Sequence, residues 1–386
     1  MAGYSTPRLK VNRMKTRQLF WRCRLLVISL LIYPTHSAIG QSAPAAAPAP
    51  TGSHPPTTPA TPLPAANRLP ESTGKTSSPK AATAPASPLE SCRLSIQAPG
   101  PVKEKKLKPP ASESLSQTPA PKSALPPRLI GSIRQVKPYQ AQKLVALTFD
   151  LCEGPNEKAG YDAELVNYLR TQQVRATFFA GGKWMRSHPD KTLALMADPL
   201  FEIGNHTWTH GNLRVLQGAA VYDQINQAQV EYQRLRSQLL NSECARQLDA
   251  KTLAHIPAAL SLFRFPYGAC SATSLAAVNQ MGLAAIQWNI VTGDPVKGQT
   301  ADKISRAILQ QIQPGSIVVA HANGRGWHTA AALPTVIDGL RKRGYEFVTV
   351  SELLARGEPV AVDSCYETRP GDNLRYDRVP KANSKR

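Results

Sequence analysis

The chain has 386 residues, and 46 basic against 26 acidic side chains give it a formal net charge of +20. That length allows two or three average domains, but composition excludes them. Between Gln41 and Pro127 there is no Phe, Trp or Tyr, while 20 of the 34 prolines fall there among Ala, Ser and Thr, so this stretch has nothing with which to build a core. The charge sits mostly outside the foldable part: residues 1–40 hold seven Lys/Arg and no acid, residues 41–127 nine basic and four acidic, and residues 369–386 six and two, which leaves +4 for the remainder. A nucleic-acid-binding domain concentrates positive charge on its folded face. The distribution therefore argues against a nucleic-acid partner and for solvated basic ends with weak affinity for an anionic envelope.

In chain order, the first element is a basic stretch from Arg8 to Arg24, followed by the apolar run LLVISLLIY and by Ala38-Ile39-Gly40. A positive region, an apolar centre and small residues at a cleavage point describe a secretory signal over residues 1–40. The run is short for a bilayer span, so an exported protein of the periplasm, cell envelope or extracellular space is expected, with no tight membrane association once the signal is cleaved. A retained anchor is the alternative, since Phe20 and Trp21 extend the apolar stretch. Residues 41–127 then read as an extended, partly polyproline tether, residues 128–368 as the folded domain, and residues 369–386 as a basic tail. A monomer is expected. Once Cys23 leaves with the signal, Cys92, Cys152, Cys244, Cys270 and Cys365 remain, an odd number without a C-x-x-C, so one thiol is left over.

From Lys143 onward short apolar runs alternate with amphipathic stretches. LVALTF, ATFFAG, LFEIG, LFRF, AAIQWNIV, SIVVA and EFVTV read as strands, and DAELVNYLRTQQ, AAVYDQINQAQVEYQRLRSQLL, TSLAAVNQM, TADKISRAILQQI and AALPTVIDGLRKRG as helices. Alternation of this kind makes an α/β fold with a parallel sheet, closed or doubly wound. Asp150 follows the first of these strands, His206 and His210 the third, Arg264 the fourth, Asp294 the fifth and His321 the sixth. All lie at strand C-terminal ends, the rim on which β/α barrels build their chemistry. In GNHTWTH, His206 and His210 stand four apart and would share one face of a helical turn, so both rings could reach one ion. On its own such a pair reads more readily as two partly exposed polar histidines; the rim position favours the metal.

Five motifs in order, TFD at Thr148 to Asp150, HTWTH at His206 to His210, RFPYG at Arg264 to Gly268, GDP at Gly293 to Pro295 and IVVAH ending at His321, resemble those of the polysaccharide deacetylases of carbohydrate esterase family 4, the NodB-homology domains, over about residues 140–356. The resemblance implies a distorted, incomplete (β/α) barrel of about seven parallel strands, and metal-assisted removal of an N-acetyl group from an amino sugar. By it, His206 and His210 hold a divalent metal such as zinc or cobalt. Asp150 is the proton acceptor, and Arg264 keeps it ionised and oriented. The Tyr267 backbone amide helps bind the oxyanion, and His321 protonates the departing amine with Asp294 fixing its tautomer. Trp288, Trp327 and Tyr267 are candidates to wall the sugar subsite, although either tryptophan fits a core equally well. His188 and His255 read as surface residues; His328, in NGRGWHT, is a candidate to approach the site.

One departure from the family pattern stands out. Leu151 occupies the position of a second, metal-binding aspartate and cannot ligate. DLCEGP can be read as the family's DDGP with two residues inserted, so that Glu153 supplies the missing carboxylate by bulging the loop. Cys152 and Cys270 each lie just beyond a rim motif and are expected to form a disulfide. The function expected is exported deacetylation of an N-acetylhexosamine polymer, with peptidoglycan as substrate. The alternatives are an amidase acting on another non-peptide C–N bond and, given Leu151 and Pro295, a sugar-binding pseudoenzyme. Two histidines and a carboxylate also suit non-haem iron oxygenases, but that reading leaves the other motifs without a role.

Overall fold

A computed structural model describes residues 124–378 except Cys244 and Asp249, so the expected signal, nearly all of the tether and the last eight residues lie outside the described residues. The strands are β1 (Ser132–Pro138), β2 (Leu144–Leu151), β3 (Ala176–Ala180), β4 (Phe201–Asn205), β5 (Leu262–Phe263), β6 (Ala284–Ile286), β7 (Ile290–Val291), β8 (Ser316–His321), β9 (Glu346–Phe347) and β10 (Gly357–Val362). The helices are α1 (Ala163–Thr171), α2 (Gly182–Ser187), α3 (Pro189–Met196), α4 (Ala219–Leu240), α5 (Ala250–Ala254), α6 (Ala272–Gln280), α7 (Ala301–Gln311), α8 (Thr329–Lys342) and α9 (Val350–Ala355).

Alternation along β2 sets the layers. Val145, Leu147, Phe149 and Leu151 pack in the cluster shared with the surrounding helices, whereas Leu144 and Ala146 belong to a second cluster with Ile133, Phe179, Ile286 and Ile317. Successive strand residues point to opposite faces, and here both faces are covered, which is why the strand reads as an unbroken apolar run. Strands β1, β6, β5, β4, β3, β2 and β8 form a ring, closed because β1 pairs parallel with β6 and antiparallel with β8 at Gln135–Ser316. The seven-stranded barrel is therefore present but closed and mixed, not incomplete and wholly parallel. At Gly315 the approach to β1 is so close that an added Cβ would lie 1.7 Å from the Val136 carbonyl oxygen; only glycine fits.

Three segments differ from the sequence reading, each for a local reason. β1 and its antiparallel partner β10 were not expected, because SIRQVKP and GEPVAV lack the apolar alternation of a half-buried strand and each contains a proline. AAIQWNIV breaks into β6 and β7 where its neighbour changes: the Gln287 N–H bonds Ile133 O, and the Asn289 N–H bonds Ile317 O. EFVTV stops as a strand at Phe347 because Thr349 caps α9, with Glu352 closing a capping box. Among the described residues no helix is long and apolar enough to cross a membrane.

The domain does not end at Thr368. Residues 364–378 form a strap across the C-terminal rim, where Arg134 donates to the Tyr366 and Glu367 carbonyls, each at 2.7 Å, and the Asn373 side chain is fully buried. Cys365 in this strap is disulfide-bonded to Cys270, while Cys152 is a buried free thiol. The expected Cys152–Cys270 bond is thus absent: Cys270, beside the Ser271 cap of α6, meets the strap, and the Cys152 sulfur instead accepts from the Asn323 amide at 3.1 Å.

The bridge spans 95 residues of sequence, so Cys365→Ser is expected to cost about 2–5 kcal/mol and to open the strap to proteases. Peptide mapping without reduction should recover Cys270 linked to Cys365 and Cys152 unlinked; a Cys152–Cys270 peptide would contradict this pairing.

Candidate active site

HTWTH is not a helical turn. It follows β4 as a loop in which Thr207 and His210 adopt φ values of 66° and 57°, and Asn205 braces it by accepting from the Thr207 N–H at 2.9 Å. The loop, not helical periodicity, brings the two rings to a centroid distance of 5.0 Å. His206 Nδ1 lies 2.9 Å from the Arg264 carbonyl oxygen, which can only accept, so Nδ1 carries the proton and Nε2 presents a lone pair. That Nε2 is buried with no hydrogen-bond partner, and it faces Asp150 Oδ2 at 3.6 Å. Two lone pairs facing each other in a dry site repel unless a cation lies between or beside them. The residues present therefore fit a metal ion. Burial depresses the pKa of His206, and it depresses His210 well below the ordinary value, with His206 and His321 adding to the effect. Both rings are neutral at neutral pH, the form that ligates metals.

Asp150 ends the interior face of β2 and is buried beside Arg264, whose Nη1 donates to Oδ1 at 2.9 Å. Burial pushes this carboxyl upward, but Arg264, His206 and His321 outweigh it and hold the pKa below the usual aspartate value. Arg264 is itself fixed: it lies 4.0 Å over the Phe179 ring and 5.4 Å from the Trp288 ring, and it donates to the Ile286 and Gln287 carbonyls.

Across the rim, His321 at the end of β8 places Nδ1 2.9 Å from Asp294 Oδ1. The other Asp294 oxygen accepts from the His321 backbone N–H at 2.7 Å and from the Thr329 hydroxyl at 2.8 Å, so the carboxylate is held from several sides. Burial lowers the His321 pKa, but Asp294 and then Asp150 more than reverse this, and the imidazole stands above its ordinary value. Gly326 allows the following loop to close in: an added Cβ would lie 2.4 Å from the His321 carbonyl oxygen and 2.8 Å from Asp294 Oδ2.

Glu153 does not join the histidines. Its Oε1 is held by Lys183 Nζ at 2.7 Å and Ser187 Oγ at 2.6 Å, and its Oε2 accepts from the Ala159 N–H at 3.0 Å. A fully buried carboxylate so partnered shapes the β2–α1 loop and has no free oxygen aimed at an ion. The group beside the histidines is Cys152, whose sulfur and the two ring nitrogens lie within 4.8 Å of one another. Burial and the Asp150 charge push this thiol up to about 12. Trp288 is also not a substrate wall: it is 5% exposed, packed in the barrel interior, with Nε1 donating to Glu367 O.

Trp327 is half exposed, and its backbone N–H bonds the Asp294 carbonyl at 2.9 Å. Tyr267, at φ 60°, lies 4.4 Å from the His210 ring on one side and 5.0 Å from Tyr376 on the other. This left-handed conformation costs an L-residue about 1–2 kcal/mol; the strap holds it, since Asn373 donates to the Gly268 and Tyr267 carbonyls. His328 is exposed at the start of α8, and His188 stacks on Trp184 at 4.8 Å and is only partly exposed. Cys152, Asn323, Asn373 and Tyr376 were missed as site residues. The D-x-C spacing at Asp150–Cys152 is a usable strand signal for the first; nothing in the sequence marks the last two, which arrive from the far end of the chain.

Comparison with known proteins agrees with this geometry. Residues 137–286 match the polysaccharide deacetylase family. A chitooligosaccharide deacetylase from Bradyrhizobium sp. is 29% identical over 222 residues, which is 54% of this chain and 90% of that protein. A peptidoglycan-N-acetylglucosamine deacetylase from Bacillus cereus is 28% identical over 218 residues, 56% of this chain and 70% of the relative. PgdA of Listeria monocytogenes, of the same description, is 28% identical over 234 residues, 61% of this chain but only 43% of the longer relative. With its five motifs gathered on one barrel rim, the chain carries, over residues 137–286, a polysaccharide deacetylase domain of the NodB-homology type, a domain of hydrolases that act on carbon–nitrogen bonds other than peptide bonds.

Proposed function

We propose that this protein is an exported, metal-dependent deacetylase that removes the N-acetyl group from N-acetylhexosamine units of a cell-envelope polysaccharide, with peptidoglycan as the substrate. The observation that carries the reading is the division of labour across the rim: a carboxylate kept ionised by Arg264 beside two neutral histidines on one side, and a histidine kept basic by Asp294 on the other. Amide hydrolysis needs both, a group that accepts the proton of the attacking water and one that protonates an amine too basic to leave as an anion. The relatives that act on peptidoglycan and chitooligosaccharides point to the N-acetylated glycan, and the signal and tether suit an envelope enzyme.

His206 and His210 would hold the metal. When bound, a divalent ion such as zinc or cobalt supplies polarisation of the acetamide carbonyl and acidification of water. Asp150 accepts the proton of the attacking water, oriented by Arg264. His321 delivers a proton from Nε2 to the departing nitrogen, because Asp294 fixes the Nδ1–H tautomer and favours the charged ring. The Tyr267 backbone amide binds the developing oxyanion, and the Tyr267 and Tyr376 rings with Trp327 form the sugar-facing wall.

Chelation should abolish acetate release from peptidoglycan, and zinc or cobalt should restore it. Metal-independent acetate release would sink the mechanism, and release from chitooligosaccharides alone would change the substrate. Asp150→Asn is expected to keep the metal but lose about a hundred- to ten-thousand-fold in kcat. It also leaves the buried Arg264 cation without its counter-charge, a loss of the order of 3 kcal/mol, read as a lower Tm; a variant with unaltered rate would remove Asp150 as the base.

His321 must be protonated to act, so activity falls as pH rises through its pKa, and a raised pKa carries that alkaline limb upward. Asp294→Asn removes the charge that raises it. The limb should then move to lower pH in the kcat profile, whereas a purely structural Asp294 would lower the rate without moving the limb.

A further inference from the structure

β2 continues its alternation past the last ladder pair, Leu151–Ala180. Leu151 stays on the helix side in the core, so the residue after it returns to the barrel interior, the face that carries Asp150. That residue is Cys152. It is 2% exposed, and Asn323 Nδ2 pins it twice, at 2.7 Å from its carbonyl oxygen and 3.1 Å from its sulfur. The sulfur and one nitrogen of each of His206 and His210 lie within 4.8 Å of one another, the one such group among the described residues. In a tetrahedral zinc site with Zn–S of about 2.3 Å and Zn–N of about 2.0–2.1 Å, the same atoms stand roughly 3.4–3.6 Å apart, so small side-chain adjustments suffice. A second, independent observation points to the same ion: His206 Nε2, in a ring 1% exposed, has no partner.

We propose that Cys152 is the third protein ligand of the metal, so that this chain holds its ion with one thiolate and two imidazoles. This rests on the metal-dependent reading above. Binding forms the metal–sulfur bond and breaks S–H, releasing one proton to solvent for each ion taken up. Leu151 is then no defect, since the ligand has moved one residue along and changed from oxygen to sulfur. A thiolate in the set favours zinc-like over hard, oxygen-seeking cations.

The test loads the full chain with Co(II). The wild-type protein should show a near-ultraviolet sulfur-to-cobalt charge-transfer band, and Cys152→Ser should lack it, bind cobalt about a hundredfold more weakly and keep the visible bands due to the histidines. Independently of any variant, zinc should slow alkylation of Cys152 in the wild-type protein, followed by peptide mapping so that the other cysteines do not confuse the result. A wild-type protein that binds one cobalt without the band, with equal affinity in Cys152→Ser and no protection of the thiol, overturns the proposal and leaves the metal-dependent reading standing. Failure of the wild-type protein to bind cobalt or zinc at all overturns both.

Discussion

A guanidinium with no solvent exposure, that of Arg264, organises the interior of the barrel's C-terminal end. It ties β5 to β2 through Asp150 and to the end of β6 through two carbonyls, while its own backbone carbonyl fixes the tautomer of His206 on the loop after β4. Taking such a cation out of water is costly, and the cost is offset only if every donor is met. Asp150 and the backbone carbonyls engage each of its three nitrogens, and the Phe179 and Trp288 rings cover the guanidinium. The same constraint that keeps the charge tolerable leaves Asp150 ionised and turns one His206 nitrogen toward it unprotonated. Structural need and the geometry of the candidate site are here one set of contacts.

Histidines on this rim are driven in opposite directions by their surroundings. His206 is buried and His210 is partly buried beside it, with no carboxylate hydrogen-bonded to either, and desolvation keeps them neutral. His321 is partly buried too, yet a carboxylate held by two threonines and a backbone N–H sits on its Nδ1 and reverses the sign. Separating the environments of like groups lets one site hold two neutral imidazoles and a more basic one at the same pH.

Backbone strain is concentrated in the same place. Thr207, His210, Tyr267 and His328 all adopt positive φ without being glycine, a conformation that persists only where surrounding structure over-determines it. The strap supplies part of that determination: the Cys270–Cys365 bridge anchors it, Arg214 bonds Asn373 and Asp377, and Asn373 bonds the turn that carries Tyr267. The end of the chain thus shapes the mouth of a site whose chemical groups come from its middle.

The strands that carry the site, the rim position of Asp150, His206, His210, Arg264, Asp294 and His321, and the family itself were legible in the sequence, because each rests on a local period or a short motif. The pairing of Arg264 with Asp150 and of His321 with Asp294, implied by the resemblance, is what the structure places at 2.9 Å in both cases. Other features were decided only by the tertiary structure. Barrel closure depends on β1, whose sequence carries no apolar alternation and becomes a strand only by pairing with β10, β6 and β8. Glu153 belongs to Lys183 and Ser187, and Trp288 to the interior, because those neighbours come from α2 and from the strap, far along the chain. Cys152 is left unpaired because Cys270 is bonded to Cys365 from the strap, and the Cys152 sulfur meets Asn323 instead. Local periods act over a few residues and can be read directly; the choice among buried partners depends on distances that exist only once the chain has closed on itself.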